Sequence, residues 1–153
     1  MMLAYRLVKL IELHSEGLAK ALRKKMEQCH RCPDYKNVPP EELTHVVYEM
    51  YRNLGEWLLG KTEADIEQRY TAIGAKRAQQ GVPLNQVIWV IALVKENLWE
   101  YLKQENVMER PAEVFGELEM LQLLEQFFDR AMYYAALGYE QARATRPANI
   151  THG

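Results

Sequence analysis

Val87-Ile-Trp-Val-Ile-Ala-Leu-Val94 is the longest unbroken apolar run in the chain, eight residues bounded by Gln86 and Lys95. A bilayer span needs about 20 such residues, so this is not a membrane helix. It lies inside a longer segment, 84–104, that contains no Gly or Pro and continues through Leu98, Trp99, Tyr101 and Leu102. A helix that is apolar on every side for two turns must be surrounded by others. The expected architecture is therefore all-α, a helical bundle wrapped around a central buried helix at 84–104.

The flanking segments agree. Gly81-Val82-Pro83 separates this helix from one over 62–80, which opens at Thr62 with Asp65 three residues later in the manner of a capping box. Upstream, Pro39 and Pro40 followed by Glu41 and Glu42 suit a helix start. A stripe of Leu43, Val47, Met50, Leu54, Trp57 and Leu58 runs from there to Gly60. Apolar residues at Leu7, Ile11, Leu18, Ala21 and Leu22 give a first helix over 2–28. Cys29 to Pro40 reads as a surface loop, and a last long helix runs over 111–144. About five helices, one domain over 1–145 and a flexible tail over 146–153 result.

Composition narrows the function. The 153 residues are 48% hydrophobic and 26% charged, as in an ordinary globular chain. A net charge of −2 argues against nucleic acid as the main partner. Arg6, Lys9 and Glu12 interrupt the N-terminal stretch, so no signal peptide is expected and the protein reads as cytoplasmic. Residues 1–28 carry six basic and three acidic side chains, and residues 105–129 carry seven acidic ones and one arginine. These are read as solvated faces.

No catalytic set assembles. There is no Gly-rich phosphate loop and no nucleophile elbow, and Glu117 and Glu119 face different directions on a helix. The protein is expected not to be an enzyme and to need no cofactor. His14, on the stripe with Leu10 and Ile11, is expected to be a core imidazole. Cys29 and Cys32, with His45 after twelve intervening residues, have the spacing of three zinc ligands, but a fourth is missing and His30 does not complete the set. Zinc or thiol chemistry at Cys29 and Cys32 is kept as an alternative, although the pair follows a helix end, where the dipole does not favour thiolate.

Ile66, Tyr70, Ile73 and Arg77 are spaced four, three and four apart, so a guanidinium sits on an apolar stripe. It either snorkels to water or projects into a polar cavity, where a carboxylate, a carbonyl or a bound small molecule must satisfy it.

The stretch Ile73-Gly-Ala-Lys-Arg77-Ala-Gln-Gln-Gly-Val-Pro-Leu84 is similar to the corner of bacterial sensor globins that holds the proximal histidine. Arg77 stands in the histidine's place, and a guanidinium has no lone pair for iron. Together with Glu56-Trp57-Leu58, Arg69-Tyr70 and Leu98-Trp99-Glu100-Tyr101-Leu102, the chain over about 5–143 resembles the N-terminal sensor domain of RsbT co-antagonist (RsbR-type) proteins. The resemblance implies a globin-like, haem-free, non-catalytic sensory domain of bacterial stress-type signalling. It implies a kinase, phosphatase or STAS-type partner, and an output domain that this chain does not reach. A space lined by Arg77, Tyr70, Ile73, Trp89 and Phe128 is expected to be either packed or open to a small ligand. A small-ligand or haem-binding globin-like protein is the other alternative. Phe127, Phe128, Met132 and Tyr139, spread over more than one face of the last helix, are expected to meet a second copy in a homodimer.

Overall fold

A computed structural model describes residues 2–105 and 111–145. The six α-helices are α1 (Met2–Leu13), α2 (Ser15–Glu27), α3 (Pro40–Arg52), α4 (Glu63–Gln79), α5 (Leu84–Glu105) and α6 (Pro111–Ala144). A 3-10 turn, Pro33–Asn37, precedes α3, and a π-helical turn, Glu56–Gly60, follows it. No strand occurs among the described residues, so the all-α expectation holds. The proposed tail over 146–153 and most of the break before Pro111 lie outside the described residues.

The count exceeds five because two expected helices are interrupted. The first breaks at His14 (φ −102°, ψ 16°), whose ring Nδ1 lies 3.0 Å from the Leu10 carbonyl oxygen. Its ring is exposed, 5.3 Å from that of Tyr101, and Ser15 takes the buried position, so His14 is not a core imidazole. The second ends early because the Asn53 side chain donates to the Glu49 carbonyl at 3.0 Å. The chain then re-enters as a π turn that buries Trp57. The capping box of α4 forms in full: the Asp65 amide donates to Thr62 Oγ1 at 3.3 Å, and the Thr62 amide to Asp65 Oδ2 at 2.9 Å. Gly81, at φ 76°, supplies the left-handed residue that turns the chain from α4 towards Pro83.

The expectation of a central helix at 84–104 needs correction. Val87, Val90, Val94, Leu98 and Leu102 form a buried stripe, but Ile88, Ala92 and Leu93 are only half-buried, and Asn85, Glu96 and Glu100 face water. The tightest packing is between α4 and α6. A Cβ on Gly74 would lie 2.8 Å from the Ala135 carbonyl carbon, and one on Gly138 2.6 Å from Thr71 Cα. The two helices therefore touch backbone to backbone, which only a residue without a side chain allows. Polar contacts pin the same pair at α4's start, where Glu63 accepts from Tyr134 Oη at 2.7 Å and from Arg130 Nε at 3.2 Å. Trp57, Tyr70, Phe127 and Phe128 form a cluster of edge-to-face and tilted rings with centroids 5.3 to 6.3 Å apart.

Between α2, α3 and α5 runs a buried polar chain. Asn97 Nδ2 donates to the Leu18 carbonyl at 2.9 Å, Lys25 Nζ donates to Asn97 Oδ1 at 2.6 Å, and Tyr51 Oη donates to the Val94 carbonyl at 2.8 Å. Lys25 also pairs with Glu100 at 2.7 Å. Burial raises the Tyr51 phenol, with the hydrogen bond from Asn97 opposing, so the hydroxyl stays a donor. Such a network holds three helices in one register because each misaligned partner would be left dry and unpaired.

Candidate functional site: the Arg77 cavity

Arg77 lies on the last turn of α4 and is 2% exposed, so its head does not snorkel to water. Isolating a guanidinium this way costs several kcal/mol unless it is paired. Its Nη1 donates to Gln80 Oε1 at 2.9 Å and to Glu42 Oε1 at 3.3 Å. Gln80 Nε2 closes the ring by donating to Glu42 Oε2 at 2.9 Å, and Lys76 reaches Glu42 from the surface side at 2.6 Å. Burial pushes the Glu42 carboxyl up, but hydrogen bonds from Lys76 and Gln80 and the charges of Arg77 and Lys76 outweigh it, so Glu42 titrates below the ordinary glutamate range. The guanidinium carbon sits 5.9 Å from the ring centre of Tyr35, whose phenol is raised by burial against the charge of Arg77 and a hydrogen bond with it. Arg77 Nε is buried without a hydrogen-bond partner.

Arg77 also lines a small, partly open apolar cavity of about 60 Å³. Its wall is made by Tyr35 from the 3-10 turn, Met50 from α3, Tyr70 and Ile73 from α4, Val90 from α5 and Phe128 from α6, with further valines around them. The volume exceeds the 10–15 Å³ that one water requires and falls far below the roughly 300 Å³ of an ordinary ligand pocket. The space as it stands is smaller than a porphyrin, and a guanidinium has no lone pair to offer iron. Burial pushes the Tyr70 phenol up to about 12, with Arg69 pulling the other way, so together with Tyr35 the lining residues carry two neutral hydroxyls and one permanent cation.

Of the residues expected to face this space, Arg77, Tyr70, Ile73 and Phe128 are brought together. Trp89 is not: it is half-buried on another face of α5, with the Arg31 guanidinium 4.6 Å from its ring centre. Tyr35, Glu42 and Gln80 were not expected at the site. Gln80 could have been found, since it lies one turn beyond Arg77 on the same helix; Tyr35 and Glu42 arrive through tertiary folding.

The other expected sites are placed differently. Cys29 and Cys32 are joined in a disulfide, and His45 is exposed on α3. Among the described residues no group of three or more His, Cys, Asp or Glu side chains could hold a metal ion. Phe127, Phe128 and Tyr139 are buried within the single chain, and only Met132 is half-exposed. They pack on Tyr70, on Trp57 and, through the Tyr139 hydroxyl, on the Val82 carbonyl at 2.6 Å, so the three buried rings are not a free dimer surface. No helix among the described residues is long and apolar enough to cross a membrane.

The sequence profile of the family described as RsbT co-antagonist protein rsbRD N-terminal domain matches residues 18–149. The chain belongs to this family. Its general role is accordingly that of a regulatory N-terminal domain in RsbT co-antagonist signalling. No curated protein and no solved structure matches the chain. The match to the RsbT co-antagonist family begins within α2 and takes in the Cys29–Cys32 loop, the Arg77 cavity and the α4–α6 crossing.

Proposed function

We propose that this RsbT co-antagonist domain is a non-catalytic, cytoplasmic sensory module of globin-related architecture. A small ligand beside Arg77 shifts the packing of α4 and α6, and this changes how a kinase, phosphatase or STAS-type partner is engaged. The observation that carries the reading is the buried guanidinium of Arg77, whose Nε is unpartnered and which lines a small apolar cavity. A leftover donor in a low-dielectric site favours an acceptor, and the wall favours a short apolar body, so the ligand class is a small carboxylate or ketone. Because α4 and α6 meet without side chains between them at Gly74 and Gly138, a displacement beside Arg77 passes directly into α6. A homodimer in this reading uses the outer face of α6, where Leu118 and Tyr133 are 54% and 62% exposed.

Thermal unfolding in the presence of acetate, propionate, acetone and butanone tests the reading, with chloride at matched ionic strength as control. Saturation near 100 times the dissociation constant stabilises the native state by about 2.7 kcal/mol. At least one of these probes should raise the melting temperature of the wild type by several degrees and leave Arg77→Met unmoved. No shift with any of them, or equal shifts in both proteins, would reject the ligand reading.

A further inference from the structure

The Cys29–Cys32 bond lies beside the cavity. Cys32 is the residue immediately before the 3-10 turn, and its carbonyl accepts from the Tyr35 amide at 3.2 Å. Tyr35 and Leu43 line two spaces at once. One is the Arg77 cavity, and the other is a surface groove of about 450 Å³ whose wall also holds Arg23, Glu27, Cys29, Cys32 and Lys36. These two side chains therefore stand between that groove and the space beside Arg77. Tyr35 is held there by its own burial, by the disulfide behind it, and by a two-point clamp to α5. In that clamp the Asp34 amide donates to Gln86 Oε1 and Gln86 Nε2 donates to Asp34 Oδ2, both at 2.9 Å.

We propose that Cys29 and Cys32 form a reversible two-electron redox switch whose disulfide keeps the Pro33–Asn37 turn, and with it Tyr35, closed over the Arg77 cavity. The bond fixes the two Cα atoms 5.9 Å apart within a four-residue loop. Without it, the turn keeps the burial of Tyr35 and Val38, the contact of Tyr35 with Arg77 and the Asp34–Gln86 clamp, but loses its covalent cross-link to the end of α2, which lowers the cost of opening it locally without global unfolding. Cys29 is half-exposed and Cys32 is 4% exposed, which gives them different tasks. The oxidant is a low-molecular-weight disulfide, which enters the groove where Arg23 and Lys36 outnumber Glu27. The Cys29 thiolate attacks one of its sulfurs, forms a mixed disulfide and releases one thiolate. The Cys32 thiolate then attacks the Cys29 sulfur, forms the Cys29–Cys32 bond and releases the second thiolate. The protein loses two electrons and two thiol protons, and the reagent leaves as two thiols. Reduction runs the same two exchanges backwards. The consequence for sensing rests on the ligand reading above, whereas the switch itself does not.

Glutathione disulfide and dithiothreitol generate the two forms of the intact protein. The rate at which phenylglyoxal modifies Arg77, read by peptide mass spectrometry and normalised to exposed Arg52, then reports whether the turn is open. The reduced form is expected to label at Arg77 at least about threefold faster than the oxidised form, as a local opening equilibrium predicts. Cys29→Ser/Cys32→Ser should label fast in both buffers, with an unchanged circular-dichroism melt marking it as folded. Trp89 fluorescence should change on reduction, because Arg31, between the two cysteines, lies over its ring. Equal Arg77 labelling in the two forms of the wild type overturns the proposal, as does a pair that stays fully bonded or fully reduced across glutathione buffers. A ligand screen without hits leaves these rates as they are, so the two readings fail separately.

Discussion

Replacing Gly138 by alanine sets two effects of opposite sign against each other at one site. Helix propensity favours the change by about 1 kcal/mol, since Gly138 sits inside α6 and alanine is the better helix former. Packing opposes it. The added Cβ would lie 2.6 Å from Thr71 Cα and 2.7 Å from its carbonyl carbon, where carbon atoms otherwise rest about 3.5–4.0 Å apart. Both obstacles are backbone, so no rotamer change relieves them, and α4 and α6 must separate by about 1 Å along a shared face. Overpacking of this kind costs about 1–3 kcal/mol and more when the backbone must move. The loss of contact around Phe128, Ala131 and Ala135 adds to it. We expect a net destabilisation of about 2–4 kcal/mol, which for a domain of this size lowers the melting temperature by about 4–16 °C. Gly17→Ala is the matched control, because nothing lies within 4 Å of a Cβ at that exposed helix position; it should stabilise by about 0.5–1 kcal/mol. Gly74→Ala should behave like Gly138→Ala, and the double variant should cost less than the two added together, because one separation of the helices relieves both clashes. Urea and thermal unfolding of the four variants are sufficient. A Gly138→Ala protein as stable as the wild type would refute the close crossing.

Glu42→Gln should lower stability near pH 7 by about 1–3 kcal/mol, since the buried Arg77 loses its carboxylate while Gln80 remains. A carboxyl held below its ordinary value contributes fully above that value, near 4.3, and loses its contribution as pH falls through the depressed one. The gap between wild type and variant should therefore narrow below about pH 4, and a gap that widens there would contradict the ring at Arg77. Asn97→Ala leaves the Leu18 carbonyl without its donor and Lys25 without one acceptor, and should cost about 2–3 kcal/mol in urea unfolding; a loss under about 0.5 kcal/mol would mean the network is not dry. Phe128→Asp should abolish cooperative folding, because the ring is 2% exposed, whereas Tyr133→Asp should keep a cooperative fold and act on self-association alone, read by light scattering. A folded Phe128→Asp protein with altered oligomeric state would reverse that assignment.

Helix content was legible where local chemistry decides it. The capping box at Thr62, Pro40 at the start of α3, the Gly81-Val82-Pro83 corner and the Arg77 stripe all stand where pattern and propensity place them. The break at His14 and the π turn at Trp57 were not, because periodicity runs straight through both and only tertiary packing selects the interruption. The crossing at Gly74 and Gly138 was hidden for a different reason: the two glycines are 64 positions apart, and a glycine inside a helix gives no sign of what approaches it. The run Val87 to Val94 misled because apolarity sets a demand for cover without saying how much is met; α5 is covered on one side and left half-covered on the other. Of the site, Arg77, Tyr70 and Ile73 share one helix face and were readable together, with Phe128 joining them from α6. Tyr35 and Glu42 come from a turn and a helix about forty residues upstream and could be assembled only in three dimensions.

The account turns on Arg77 being enclosed, paired on Nη1 and left with a spare donor beside a small cavity. A high-resolution crystal structure of the protein purified from its expression host tests this directly. Arg77 is predicted inside the bundle on Glu42 and Gln80, with non-protein density of a few atoms in the cavity and an acceptor within hydrogen-bond distance of Nε. A guanidinium swung out to solvent, or a cavity closed by side chains with no such density, would contradict it.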